Sequence, residues 1–422
     1  MSNKAKYVKE TFWAIASKGA AFIFYYALVY YLLQKLTVER WGEWSAFLAL
    51  LNVILLISEL GISAASKRYV AQARDTVELG GIVRVSLTLR IIASGIYVLL
   101  IALLVRPLLT SLGQPEYVDL MQRALLLIAF YGVTDYFKNL FEALHRLRFT
   151  FVVNLFEYGL KFLLALVLFQ NANQFAGIVN AFTIATGVAL LAGALLTFRT
   201  VPSLFASSAP PKFMRQVYFY SIPVFLMTIG ALVALEIDTI MLRHLRTAYD
   251  TGIYATAKNV VMFLPHISVA LSMGIIPGLV VFDAAAALGR RQAYYRILVI
   301  IVGLYMLIDL GVVAFALFGL NRLFNNAYAA ASVPLLALTP FVLFSGISSF
   351  CGSLLDYRGL AWLRAINFSF TIIANVLLNW WWIPKWGAVG AAAASSVAFA
   401  PYCALNLWQA HAAFAKEDGA HG

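Results

Sequence analysis

Charge is what this 422-residue sequence has least of: Asp, Glu, Lys and Arg together make up 12% of it. An ordinary soluble domain carries roughly 25%. Cysteine occurs only twice, at Cys351 and Cys403, each inside an apolar run. That excludes a disulfide framework and a cysteine metal site. Histidine is nearly as rare. His145, His244, His266, His411 and His421 show no metal-ligand spacing. The formal net charge of +12 has no basic stripe or soluble domain to concentrate it, so nucleic acid is not an expected partner. Basic residues beside apolar runs read instead as topology signals and lipid-headgroup contacts. No cofactor is expected. A membrane acyltransferase or glycan polymerase would carry a large outer loop or an intramembrane histidine cluster; neither is present, so an enzyme is not expected.

What is there is hydrocarbon. Hydrophobic residues are 62% of the chain and the mean hydropathy is +0.84. Apolar runs near 20 residues recur, the length that ~30 Å of hydrocarbon requires of a helix. The fold class is therefore an all-α polytopic membrane protein. The basic start "MSNKAKYVKE" leads into a run that reaches about Leu33 without a small-residue cleavage site, so the first span is expected to be retained.

Hydropathy and turn residues predict about twelve spans, at about 12–34, 43–62, 85–110, 118–136, 149–170, 175–198, 217–242, 252–283, 293–320, 329–354, 361–383 and 387–412. The Pro/Ser-rich stretch "VPSLFASSAPPKFMRQ" (201–216) is the natural linker. It divides an N-terminal six-helix bundle (1–200) from a C-terminal one (217–422). With the N-terminus inside, 19 of the 31 Lys and Arg fall on the cytoplasmic side, 8 on the other and 4 within spans. This bias places both termini in the cytoplasm. In this count Lys138 belongs to a cytoplasmic loop.

The halves look related. "WGEWSAF" opens the second span and "TGIYATA" the eighth, with Gly42 and Gly252 separated by 210. Tyr117 and Tyr328 precede the fourth and tenth spans, 211 apart, and "FAGIVNA" and "WGAVGAA" open the sixth and twelfth at the same spacing. Two six-span repeats entering the membrane the same way imply pseudo-symmetric bundles around a central cavity.

Two stretches carry a family resemblance. "LLNVILLISELGISAASKRYVAQAR" ends the second span and "EIDTIMLRHLRTAYDTGIYATAKNVVMFL" joins the seventh to the eighth. Both resemble the polysaccharide transporters of the multidrug/oligosaccharidyl-lipid/polysaccharide exporter superfamily. The resemblance covers nearly the whole chain in span order. It implies a flippase of the bacterial inner membrane, moving a polyprenyl-pyrophosphate-linked oligosaccharide for O-antigen or exopolysaccharide assembly. Glycan polymerase and other assembly proteins are then possible partners. Related multidrug and cation antiporters share the fold, so fold alone does not decide the substrate. A non-transporting scaffold for a glycan-assembly complex is a third reading, disfavoured by the lack of a sizeable soluble extension.

A flippase needs cations for pyrophosphate, aromatic faces for sugars and amides for hydroxyls, and no nucleophile. Lys161 lies about 12 residues, ~18 Å, into the fifth span, with Glu157 one turn earlier in the favourable i,i+4 order. Lys18 shares a stripe with Phe22 and Tyr25 in the first span, lining a cavity or snorkelling to the headgroups. Arg90, near the start of the third span, is expected to snorkel. Asp309, mid-way along the ninth span, has no cation within four residues and is a candidate proton carrier or a buried hydrogen-bonding group. Asn367, Asn375 and Asn379 mark the eleventh span, and the tryptophans 380–382 an interfacial belt. In "ALVALEIDTIML", Glu236 and Asp238 differ by ~200° on a helix. Glu236 is expected among lipid headgroups. Asp238, above a stripe of Ala234, Ala231 and Gly230, is expected to pair with Lys258 as an outer gate or a static clamp. Candidate substrate-binding residues are thus Lys18, Tyr25, Lys161 and Asn375, and candidate coupling or gating residues Glu157, Asp238, Lys258 and Asp309.

Overall fold

A computed structural model describes residues 3–169, 175–204, 217, 219, 221, 225, 235–280, 287–324 and 326–419; the side chains of 3–8, 273, 274, 277–280, 287–290, 321 and 414–419 are not described. The expected linker from 205 onward and the small-residue stripe behind Asp238 lie outside the described residues. The chain forms two compact units: residues 1–36 with 50–232, and residues 37–49 with 233–422.

The first unit is built from α1 (Asn3–Lys35), the latter part of α2 (Val38–Ile57), α3 (Ile62–Gln72), α4 (Thr76–Ser111), α5 (Val118–Arg123), α6 (Leu125–Ala143), α7 (Leu147–Leu168) and α8 (Ala176–Thr200). The outward faces are hydrocarbon: Ile92, Ile96, Leu99 and Leu103 of α4 are all exposed, as a lipid-facing surface demands. Local signals set the ends. Asp75 caps α4 by accepting from Val77 N and Glu78 N at 2.9 and 2.7 Å. The chain leaves α2 through Leu60 (φ 49°) and Gly61 (φ 68°), so the second span breaks and α3 leaves in a new direction.

The second unit adds to the start of α2 the helices α9 (235–245), α10 (Ala248–Val261), α11 (Pro265–Val280), α12 (Ala287–Ala314, running on through a π turn at Phe315–Gly319), α13 (Ser332–Ala337), α14 (Thr339–Tyr357) and α15 (Ala361–Gly419). Gly387 (φ 54°, ψ −129°) breaks α15. The two arms fold back so that Asn367 reaches Asn406 at 3.0 Å. At the start of α2, Gly42 and Gly252 let two backbones touch. A Cβ on Gly252 would fall 2.0 Å from Val38 O, and one on Gly42 1.8 Å from Ala248 O.

Seven helices among the described residues are long and apolar enough to cross a membrane, or eight with the bent pair Ala329–Ala337 and Thr339–Tyr357. The shortfall from twelve has identifiable causes. The eleventh and twelfth runs join at Gly387. The fourth is interrupted at Ala124, the eighth at residues 262–264, and much of the seventh is not described.

The repeat is plainer in the structure than in the sequence. A 3-10 turn at Pro115–Tyr117, a six-residue helix and a 19-residue helix end in left-handed His145. The turn Ala329–Ala331, α13 and α14 copy each length and end in left-handed Gly359, every bound 214 residues later. The Tyr117–Tyr328 match at 211 is therefore about one helical turn out of register.

Candidate functional site

In the first unit α7 takes a π turn at Leu155–Gly159, a local widening that often marks functional positions. The turn carries Glu157 into the interior. Its carboxylate accepts from Lys161 Nζ at 2.7 Å on the same helix, and from Lys138 Nζ on α6. The Glu157 side chain is 1% exposed and each lysine 14%, so two cations share one carboxylate in a buried triad, and the Asp135 carboxylate also acts on Lys138. Aromatic rings flank the ammonium groups: Lys161 lies 5.2 Å from the centre of Tyr158 and 5.4 Å from that of Phe182, and Lys138 lies 5.6 Å from Tyr158. One turn before Lys138 stands Asp135, whose carboxylate accepts from Asn139 at 3.0 Å. Asn154 donates to Ser17 at 2.9 Å, tying α7 to α1.

Lys138 is not a loop residue: α6 continues to Ala143 and directs it inward. Arg90 does not snorkel either. It is fully buried, and its guanidinium donates to Ser58 O and Glu59 O at 2.6 and 2.7 Å and to Gly132 O at 2.8 Å. The broken end of α2 leaves the Ser58 carbonyl without a helical partner; Arg90 supplies one, and gives a second bond to Glu59 O, which also accepts from Ile62 N. Tyr305 performs a similar task in the second unit. Its hydroxyl donates to Leu264 O at 2.8 Å and accepts from Ser268 N at 3.1 Å across the α10–α11 break. Both side chains pass over a glycine 214 residues from its counterpart, Gly132 and Gly346.

The second unit holds a different arrangement. Asp238 is buried and accepts from Tyr254 Oη at 2.8 Å, Asn379 Nδ2 at 2.6 Å and Ser395 Oγ at 2.7 Å. Asn379 also donates to Asn375 Oδ1 at 2.9 Å. The expected Asp238–Lys258 pair is corrected. Lys258 Nζ bonds Glu236 Oε2 at 2.9 Å and Thr239 Oγ1 at 3.1 Å, with Leu235 O a further acceptor. Glu236 is thus the ion-pair partner of Lys258, and Asp238 is held by three neutral donors. A cavity beside the carboxylate is lined by Asp238, Tyr254, Lys258, Thr371, Asn375 and Ser395 on its polar side, and by Phe341, Phe368 and Phe399 among its apolar walls. Carboxylate, amide and hydroxyl oxygens form a set suited to a proton or a small hard cation.

Of the expected residues, the structure brings Glu157 and Lys161 together in one unit, and Asp238, Asn375 and Lys258 around one cavity in the other. Lys18 and Tyr25 join neither cluster; both are exposed on α1. Asp309 is half-buried on α12, and its Oδ1 has no hydrogen-bond partner among the described residues. Trp380 and Trp381 are exposed, as an interfacial belt requires. Sequence reading missed Lys138, Arg90 and Tyr254. The fourfold spacing of Asn375 and Asn379 was the available signal for their shared helix face.

The sequence profile described as "Polysaccharide biosynthesis protein" matches residues 7–282. No curated protein matches the sequence. Among solved structures, the fold is similar to an inward-facing multidrug resistance MATE family transporter of the MOP superfamily, at 15% identity over 96% of this chain and 99% of that one, with a TM-score of 0.75. It is also similar to the lipid II flippase MurJ in an inward closed conformation: 12% identity, 94% and 87% coverage, TM-score 0.74. A MOP superfamily transporter from Pyrococcus furiosus, whose description notes a binding pocket of reverse polarity, gives 15% identity, 98% and 96% coverage and a TM-score of 0.66. At such identities the likeness is one of fold.

Proposed function

Because the chain belongs to the polysaccharide biosynthesis protein family, we propose that it is a transporter, not an enzyme, that flips a polyprenyl-pyrophosphate-linked oligosaccharide by alternating access. It works in the bacterial inner membrane with both termini in the cytoplasm, in surface polysaccharide assembly alongside a glycan polymerase and other assembly proteins. The observation that carries the reading is the buried Lys138–Glu157–Lys161 triad with its aromatic neighbours. Two ammonium groups on a single carboxylate have capacity left for a diphosphate, and Tyr158 and Phe182 offer apolar faces for sugar rings. In this reading Asp238 takes up the coupling cation or proton.

The test is deletion of the gene, with surface glycan and lipid-linked precursor followed together. Precursor trapped on the cytoplasmic leaflet supports flipping; unchanged surface glycan overturns it. Lys161→Ala should leave the protein in the membrane and reduce flipping at least tenfold.

A multidrug or cation antiporter is the second reading. One observation favours it: Asp238 beside a cavity with three phenylalanine rings, a lining that suits an apolar organic cation. Drug sensitivity that rises on deletion while surface glycan stays unchanged would select it.

A further inference from the structure

The charges of the triad are additions to the repeat. α7 and α15 begin at Leu147 and Ala361, 214 residues apart, the spacing that also relates the helices before them. At that spacing Lys138, Glu157 and Lys161 correspond to Gly352, Thr371 and Asn375, which are all buried and all neutral. The repeat therefore packs without a carboxylate at this place. A carboxylate between two lysines also weakens them as an anion site, since it occupies the ammonium groups that an anion would use.

The two lysines are not equivalent. Lys138 has two carboxylates acting on it, Glu157 on α7 and Asp135 one turn earlier on its own helix. Lys161 pairs only with Glu157 among the described residues, at 2.7 Å. Its other close neighbours are the rings of Tyr158 and Phe182. An ammonium group has three donors, and among the described residues only Glu157 accepts from Lys161. Lys138 is thus anchored from two sides, and Lys161 from one.

We propose that Glu157 is an exchangeable counter-ion: a diphosphate takes its place on Lys161, while Glu157 stays on Lys138. The inference rests on the reading of the triad as a diphosphate site. Before the anion arrives, the carboxylate spares Lys161 the cost of a buried, unpaired charge. On exchange, a phosphate oxygen replaces a carboxylate oxygen on the same ammonium, one charge-assisted hydrogen bond for another. This sets a threshold for entry. A monoanion, such as the carboxylate of an acidic sugar, offers Lys161 only what Glu157 already supplies, and it must also lose its freedom on binding. A diphosphate brings more than one charge and several acceptor oxygens, and so outcompetes the resident carboxylate. Glu157 is in this sense a specificity-determining residue, favouring diphosphate over carboxylate.

The experiment measures binding of inorganic pyrophosphate to the purified full chain in micelles, by calorimetry at fixed ionic strength. Glu157→Gln removes the resident competitor, so pyrophosphate should bind at least tenfold tighter than to the native chain, even though the variant is less stable. Sodium acetate should compete with pyrophosphate in Glu157→Gln, where it fills the vacated place, and not in the native chain. Adding Lys161→Met to Glu157→Gln should reverse the gain. Glu157→Thr copies the residue at position 371 and serves the same purpose should Glu157→Gln fail to fold. Three results each overturn the proposal: affinity unchanged or weaker without the carboxylate, a gain that survives Lys161→Met, or acetate competing equally in the native chain. Flipping of glycan lipid by the native chain is measured separately. Flipping without the gain in affinity removes the exchange and leaves the substrate reading; the gain without flipping does the reverse.

Discussion

Replacing Glu157 by Gln keeps the shape of the triad and removes its only negative charge. The ammonium groups of Lys138 and Lys161 would then face one another with no counter-charge between them, at 14% side-chain exposure. Two unit charges ~4 Å apart interact by ~4 kcal/mol at an effective dielectric of 20. Breaking a buried pair by removing one partner costs ~3–5 kcal/mol. Both lines give the same expectation: Glu157→Gln loses ~3–5 kcal/mol in SDS unfolding from mixed micelles, followed by tryptophan fluorescence. Lys138→Met in the same background removes the repulsion, so the double variant should be more stable than the two single losses added together. A coupling of ~0.5–3 kcal/mol is the range for directly interacting groups. A loss below ~1 kcal/mol, or strict additivity, would refute the triad as a buried electrostatic unit.

Gly252→Ala puts a Cβ 2.0 Å from Val38 O, so α2 and α10 must separate, and overpacking of this kind costs ~1–3 kcal/mol; an unchanged unfolding midpoint would count against the close crossing. Lys258→Met leaves Glu236 without its ammonium partner, so Glu236→Gln should restore most of the lost stability and Asp238→Asn should not. Rescue by Asp238→Asn instead would return the ion pair to Asp238.

Much of this was legible in the sequence, and the failures share a cause. Hydropathy located the apolar runs, and the Glu157–Lys161 spacing on one helix face needed only helical geometry. Gly42 and Gly252 were visible as matching positions, though nothing in one dimension shows that the two glycines meet. Lys138 was misplaced because hydropathy ends a span where the first charge appears, whereas α6 runs about two turns further and directs that charge inward. Arg90 was misjudged for a related reason. A helix break at Leu60–Gly61 creates buried carbonyl acceptors, and a pattern of apolar residues does not reveal where such acceptors lie. The pairing of Lys258 turned on which of two acids, two residues apart, its ammonium reaches: both carboxylates meet α10, Asp238 at Tyr254 and Glu236 one turn further on at Lys258. Position along the helix does not separate two acids that both meet the same neighbour.

The central claim is that this fold moves a lipid-linked glycan. Its most direct test is purified protein in liposomes that carry a fluorescent polyprenyl-diphosphate oligosaccharide, with leaflet exposure read by an impermeant quencher. The intact chain should accelerate exchange between leaflets, Lys161→Ala should slow it at least tenfold, and Asp238→Asn should uncouple it from an imposed cation gradient. Exchange no faster than in protein-free liposomes, with organic cations moved by the same preparation, would contradict it.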